Sequence, residues 1–278
     1  MPASVGGQPV VLDAGGRVTS LRGTAFQWVT DGTLREVDAP IPAVAETYGV
    51  DSHGRRYSRS LGGVVQEYYV YEGLDRIATV GPNSGVPNPG AVLETYLFDG
   101  IDHPLRIKLA SPNVTAYYEV DLAGNVRGLR ASGGADLGGY RYSGFGQTLE
   151  DTTMITQPLR WKGRWFSPVA GGIYDVRARQ WSPELGVFLS VDEFEEHDRR
   201  STLWGWPRQN PVRFRDPSGH EPAPLGPRGA CMFLCGVFHL VCLANGVRVA
   251  TCDMLAVGCI KACDEEHPPP KDPMPQCH

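Results

Sequence analysis

Cysteine is absent from the first 230 residues of this 278-residue chain, which excludes disulfides and cysteine-based metal sites there. No uninterrupted apolar run of 18 or more residues occurs, so a simple membrane-spanning helix is not expected. The amino terminus shows no basic stretch followed by a long apolar segment, so no secretory signal peptide is visible. The net charge is -5 without a basic stripe, which argues against nucleic acid as a partner.

Glycine and proline are abundant, at 34 and 23 residues, and predict a chain with many turns. The hydrophobic fraction of 41% is nevertheless sufficient for a folded core. A length of 278 residues suits one large domain or two modest ones.

The first half of the chain contains short aromatic or β-branched runs, each followed by an acidic residue, glycine and a basic residue. The units recur about every 20 residues, a spacing typical of repeat proteins. Examples are Val10–Asp13 with Arg17, Tyr48–Asp51 with Arg55, Tyr69–Gly73 with Arg76, and Tyr117–Asp121 with Arg127. Each unit predicts a strand, a tight turn and a return strand. A generic antiparallel sandwich is the alternative interpretation.

The second half carries two more specific segments. Residues 172–190 read GIYDVRARQWSPELGVFLS, and residues 202–219 read TLWGWPRQNPVRFRDPSG. Together they resemble the core domain associated with Rhs repeats, and the units before them resemble the YD repeats of Rhs proteins. The matching positions are Tyr174, Arg177, Arg179, Trp181, Pro183, Gly186, Phe188, Ser190, Asn210, Pro211, Asp216, Pro217 and Gly219.

The resemblance implies a mainly β fold, in which an antiparallel YD-repeat sheet spirals toward a hollow shell with an Rhs core plug. We expect the repeat sheet in residues 1–150 and the core domain in residues 151–220. A Pro/Gly linker in residues 221–230 precedes a cysteine-rich module in residues 231–278. The repeats are few, so another chain could be needed to complete the shell.

The same resemblance implies self-cleavage by two aspartates, at positions that match Asp192 and Asp216, with the cut after His220. Such a pair shares a proton, so that one carboxyl acts as base and the other as acid. The sequence departs from the family pattern because Glu193 replaces proline and His220 replaces leucine. Residues 216–219 also fit an ordinary type I turn, and Asp192 fits a solvated acidic loop.

Two further predictions concern the side chains around this motif. If residues 177–179 continue one strand, Arg177 and Arg179 lie on the same face and can contact a carboxylate of the acidic loop. The alternative is a pair of surface arginines that aids solubility. His53 and His103 lie in turn sequences without an evident partner.

Six of the 7 cysteines are arranged symmetrically about residue 247, next to the turn signal Asn245-Gly246. On helices, the three cysteines of each side form one narrow stripe. This pattern predicts an antiparallel α-helical hairpin. Six cysteines allow 15 disulfide connectivities, of which the hairpin favours one. The predicted disulfides are Cys231–Cys263, Cys235–Cys259 and Cys242–Cys252, with Cys277 left over. Zinc binding is the competing interpretation, although paired CxxC spacing is absent.

These features favour the C-terminal part of an Rhs-type polymorphic toxin that acts outside the cytoplasm, secreted or at the cell surface. No cofactor or metal is expected. The possible partners are an immunity protein, a shell-completing chain and a membrane surface that the apolar tail contacts. The alternative is a structural or adhesive cell-surface protein with a disulfide-stapled cap.

Overall fold

The computed structural model describes residues 4–5, 7–30, 32–40, 43–52, 54–83, 86–192, 202–220 and 223–224. The chain divides into two units, residues 1–212 with 216–221, and residues 213–215 with 222–278. The predicted cysteine-rich hairpin and its disulfides lie outside the described residues.

The described backbone is almost entirely strand and turn. A short pair is formed by β1 (Ser4–Val5) and β2 (Gln8–Pro9). A large sheet contains β3 (Val11–Leu12), β4 (Val18–Leu21), β5 (Thr24–Trp28), β6 (Leu34–Pro40), β7 (Ala43–Val50), β8 (Arg56–Leu61), β9 (Val64–Glu72), β10 (Asp75–Asn83), β11 (Val86–Phe98), β12 (Pro104–Leu109), β13 (Val114–Val120), β14 (Val126–Ala131), β15 (Asp136–Tyr142) and β16 (Thr148–Asp151).

A smaller sheet follows, with short 3₁₀ turns at Trp161–Gly163, Val169–Gly171 and Pro207–Gln209. Its strands are β17 (Trp165–Ser167), β18 (Ile173–Val176), β19 (Arg179–Ser182) and β20 (Val187–Phe188). In the second unit, β21 (Phe214–Arg215) pairs with β22 (Ala223–Pro224).

The large sheet has 14 strands, and its spatial order follows the chain from β3 to β16. Every neighbouring pair is antiparallel, as in β7 with β8 and β13 with β14. The mainly β prediction with a large antiparallel sheet is therefore confirmed. Among the described residues, no helix is long and apolar enough to cross a membrane.

The turns between several strands are closed by contacts within the repeated sequence. Asp13 Oδ1 accepts a hydrogen bond from Arg17 N at 2.9 Å, and Oδ2 accepts one from Arg17 Nε at 2.8 Å. Asp51 holds Arg55 in the same way, at 3.0 and 2.9 Å. An acidic residue that bonds the backbone after it fixes the turn, and a neighbouring glycine supplies the left-handed conformation. Gly16, for example, has φ +73°.

The buried apolar side chains of the two sheets form three clusters. One joins Val18, Leu21, Phe26, Leu34, Val37 and Tyr48 to Ala170, Ile173 and Leu189. A second lies on the later strands and contains Tyr96, Ile107, Leu109, Ala116, Tyr118, Val126, Leu129, Tyr140 and Leu159. The third contains Trp161, Tyr174, Val176, Trp181, Phe188 and Trp206. The smaller sheet thus packs on the large one and has an aromatic core of its own.

Candidate functional site

Arg179, the first residue of β19, brings the two aspartates of the predicted pair together. Its Nη2 lies 2.9 Å from Asp192 Oδ2 and 3.2 Å from Asp216 Oδ2. Arg179 is only 2% exposed, and its guanidinium carbon lies 3.7 Å from the centre of the Phe188 ring. Burial lowers the pKa of Arg179, while the two carboxylates oppose that shift. The aspartates are 24 positions apart in the chain, yet both bind the same nitrogen atom.

The turn at residues 216–219 is closed by its own aspartate. Asp216 Oδ1 accepts a hydrogen bond from Gly219 N at 2.8 Å. Gly219 has φ +90°, and a Cβ at this position would overlap the carbonyl oxygen of Val176. Only glycine fits both the left-handed backbone and the close approach. This geometry agrees with the turn interpretation of the segment and at the same time buries the Asp216 side chain completely.

Three arginines hold the backbone of this turn. Arg164 donates to the carbonyl oxygen of Asp216, Arg177 to that of Pro217, and Arg179 to that of Gly219. Charged donors make stronger hydrogen bonds than neutral donors do. The carbonyl groups just before His220 are therefore fixed in position.

Asp216 has an unusual protonation equilibrium. Burial raises its pKa to about 6, although Arg179, Arg164 and the Gly219 N–H act in the opposite direction. The desolvation of a fully buried carboxylate outweighs these contacts, because charge is poorly solvated in a protein interior. Asp216 can therefore carry a proton close to neutral pH.

His220 completes the surroundings of Asp192. Its Nδ1 lies 3.2 Å from Asp192 Oδ1, and its backbone N donates to Ser218 Oγ at 3.1 Å. Asp192 thus faces Arg179 with one carboxylate oxygen and His220 with the other. The Asp192 side chain is 15% exposed and the His220 side chain 36%.

Arg177 lies elsewhere than predicted. The backbone turns between β18 and β19, where Arg177 has φ +57°, so it does not share a strand face with Arg179. Its Nη2 lies 2.8 Å from Asp102 Oδ1 and 3.2 Å from Asp75 Oδ1. Of the two arginines, Arg179 is the one that binds Asp192, and the carboxylates that both arginines bind do not fit a free surface pair.

Sequence reasoning missed Arg164 and Asp102. Arg164 Nη2 lies 2.8 Å from Asp102 Oδ2, and burial lowers the pKa of Arg164 to about 10. Asp102 therefore binds two arginines that each hold a carbonyl of the 216–219 turn. Burial, together with Asp102, raises the pKa of Asp75, while Arg177 counteracts this. Nothing in the local sequence connects these residues, because the contacts depend on distant turns of the sheet.

The remaining residues of the core motif build the scaffold around the site. Tyr174 is buried and donates to the Gly146 carbonyl at 2.9 Å. Gly186 has φ +64° in the turn between β19 and β20, and Phe188 lies in the aromatic cluster. The backbone N of Asn210 donates to Pro207 O at 3.1 Å, and Pro211 and Pro217 are buried.

Of the two histidines predicted to lack a partner, His103 has one, because its Nδ1 contacts Asp99 Oδ1 across a hairpin turn. That prediction is wrong for His103, and His53 lies outside the described residues. Within the described ranges, no three His, Cys, Asp or Glu side chains are grouped as metal ligands. The cysteines considered for zinc are not among those residues.

The chain matches no model of a known protein family. It is 25% identical over 229 residues to the tRNA3(Ser)-specific nuclease WapA of Bacillus spizizenii. It is 24% identical over 242 residues to the tRNA nuclease WapA of Bacillus subtilis strain 168. Each match covers 78% of this chain but only 9% of the relative, so the chain spans a small fraction of these proteins.

Two solved structures share the fold. The Photorhabdus luminescens Tc holotoxin pore, with a substitution in TccC3, matches 76% of this chain at 20% identity with a TM-score of 0.57. The TcdB2–TccC3 crystal structure matches 75% of the chain at 20% identity with a TM-score of 0.58. In both, the match covers 11% of the solved chain. The chain therefore has a fold found in Tc toxin components and a sequence similar to the WapA nucleases.

Proposed function

We propose that this chain is the C-terminal part of an Rhs-type polymorphic toxin, secreted or delivered to other cells. Its β scaffold and core domain carry a C-terminal payload that is released by self-cleavage after His220. The similarity to WapA nucleases and the fold shared with Tc toxin chains support a toxin. Another matching structure is described as TcdB2–TccC3 without its hypervariable C-terminal region, and residues 221–278 are the corresponding candidate payload.

The arrangement of Asp192 and Asp216 around Arg179 is the observation that carries the self-cleavage proposal. Both carboxylates contact one guanidinium nitrogen, and Asp216 closes the turn that leads directly to His220. Asp216 retains a proton to about pH 6, as a general acid requires. Asp192, partly exposed beside it, is then the base that water can reach.

The proposed step is hydrolysis of the peptide bond between His220 and Glu221. Asp192 takes a proton from water, and the resulting hydroxyl oxygen bonds to the carbonyl carbon of His220. As the C–N bond breaks, the proton of Asp216 passes to the amide nitrogen of Glu221. The products are a carboxyl group at His220 and an amine at Glu221. Asp192 then loses its proton to solvent and Asp216 regains one.

The test is the fate of the full chain with a C-terminal tag, purified in urea and diluted into buffer with a reducing agent. We expect time-dependent cleavage into two fragments, with a new amino terminus at Glu221 identified by mass spectrometry. Asp216→Asn and Asp192→Asn each remove a proton-transfer group and should slow cleavage by about 10²-fold or more.

Asp136→Asn is the matched control, because Asp136 is an exposed aspartate at the start of β15 that accepts a hydrogen bond from Gly138 N. This variant should be cut at the rate of the unmodified chain. A chain that stays intact over the whole pH range would contradict self-cleavage. It would favour the alternative, a structural or adhesive cell-surface protein.

A payload also implies that residues 221–278 act on a target and bind an immunity protein. Full-length chain exported to the bacterial periplasm should slow growth. Deletion of residues 221–278 should abolish the effect. Equal growth of both strains would argue against a toxic payload.

A further inference from the structure

His220 occupies a position where it can control the site, an inference that rests on the self-cleavage proposed above. It is the residue immediately before the bond to be cut, and its imidazole faces Asp192 Oδ1 at 3.2 Å. The other carboxylate oxygen of Asp192 is bound to Arg179 at 2.9 Å. Each oxygen of the base thus faces a cationic or potentially cationic group.

The consequence follows from the charge of the imidazole. A protonated imidazole forms a charge-assisted hydrogen bond to Oδ1 and stabilises the Asp192 carboxylate, which lowers its basicity toward water. A neutral imidazole has a weaker interaction with that oxygen. Among the residues that the structure describes, the charged groups next to this pair include Arg179 on β19 and Asp216 within the same turn, with Arg164 bound to the Asp216 carbonyl. These groups are also present when His220 is replaced.

We infer that His220 is a proton-controlled brake on the self-cleavage of this chain: its charged imidazole holds Asp192, and loss of the proton releases the carboxylate to activate water. Histidine is suited to this role, because its charge changes between about pH 5 and 8. The sequence supports the idea independently, since His220 stands where the Rhs core pattern has leucine, a residue that cannot bind a carboxylate.

The experiment compares His220→Leu with the unmodified chain after dilution from urea into buffers from pH 5 to pH 8. A hydrogen bond to a charged group contributes about 1.5–3 kcal/mol, so removing it should accelerate cleavage at pH 5 by roughly tenfold or more. The ratio of the two rates should fall toward one as the pH rises to 8, because histidine side chains in general lose their charge over this range. Protonation of Asp216 should make the leucine variant fastest in acid.

His103→Leu is the matched control. His103 also contacts an aspartate through Nδ1, but its partner is the exposed Asp99 of the β11–β12 turn and neither aspartate of the site. Its replacement should leave the pH profile of cleavage unchanged. Thermal unfolding of both variants shows whether the fold is retained. A rate for His220→Leu that equals or falls below that of the unmodified chain at pH 5 would overturn the brake.

A second measurement does not depend on cleavage. In the Asp216→Asn chain, in which cleavage should be slow, the imidazole nitrogens of labelled His220 are followed by NMR. Adding Asp192→Asn removes the carboxylate partner and should shift the resonance of Nδ1. An unchanged resonance would refute the contact and with it the brake. Absence of cleavage in every chain, with a shifted resonance, would instead refute the proposed function.

Discussion

At the scale of single residues, the site depends on burial more than on the number of its contacts. Asp216 receives a backbone hydrogen bond and faces two arginines, yet desolvation still raises its pKa. Arg179 and Arg164 show the same effect with the opposite sign, since burial lowers the pKa of each. The charged forms are thus stabilised by one another and by the backbone groups that they bind. Removing one member leaves an uncompensated charge in the interior.

This burial makes the stability of the fold depend on the protonation of Asp216. Between its ordinary pKa of 3.8 and the folded value of about 6, the folded chain binds more protons than the unfolded chain. The contribution of Asp216 to the free energy of unfolding is therefore fully present below pH 3.8. It falls by about 3 kcal/mol as the pH rises through 6.

The measurement is urea unfolding from pH 4 to pH 7 in an Asp192→Asn background, chosen because this substitution should slow the proposed cleavage. Asp192→Asn is compared with the double variant that also carries Asp216→Asn, so that other titrating groups cancel. Relative to Asp192→Asn alone, the double variant should become more stable as the pH rises. A difference that stays constant, or one that changes in the opposite direction, would contradict the raised pKa.

At the scale of elements, the hairpins are the part of the fold that the sequence predicts well. Their determinants lie within five consecutive positions, as in Asp121, whose carboxylate accepts hydrogen bonds from Ala123 N and Asn125 N at 2.9 Å. Serine can replace the acid, because Ser143 Oγ accepts from Gln147 N at 3.1 Å. Such local contacts need no knowledge of the rest of the chain.

The importance of these turns can be measured at Asp121. Asp121→Ala removes the acceptor for three N–H groups of the β13–β14 turn, including Asn125 Nδ2. We expect the free energy of unfolding to fall by about 1–3 kcal/mol. Leu122→Ala in the same turn is the control, since Leu122 is fully exposed and its loss should have little effect. Equal stability of the two variants would show that the turn tolerates loss of its acceptor.

The site itself is predictable only in part. Asp192, Asp216 and Arg179 follow from the resemblance to the Rhs core motif, but their meeting at one nitrogen is a property of the folded chain. The sequence does not predict the bend at Arg177, because arginines at alternate positions are also typical of a continuous strand. Arg164 and Asp102 escape prediction since their ion pair joins segments far apart in sequence.

At the scale of the first unit, Asp102 connects the large sheet to the turn at residues 216–219. It lies in the hairpin between β11 and β12 and binds both Arg164 and Arg177. These two arginines hold consecutive carbonyl groups, those of Asp216 and Pro217. The large sheet therefore helps to fix the position of the 216–219 turn, and Asp102 is the carboxylate that both arginines share.

Removal of the Asp102 carboxylate should lower the free energy of unfolding of the first unit. Asp102→Ala leaves two arginines without their shared partner, and breaking buried ion pairs costs about 3–5 kcal/mol. We expect a loss of this size in urea unfolding. Asp99→Ala is the control, because Asp99 is exposed in the same turn and contacts only His103 and the turn backbone. A loss for Asp102→Ala no larger than that for Asp99→Ala would contradict the role of Asp102.

The sequential strand order of the large sheet has a consequence for the timing of synthesis. Each strand pairs only with its neighbours in the chain, so the sheet can grow hairpin by hairpin as the polypeptide leaves the ribosome. Asp75 and Asp102 are then in place before residues 216–219 have been translated. The arginine-bound turn is then the last piece to join the unit, so the cluster of Asp192, Asp216 and Arg179 is completed only after the sheet that supports it.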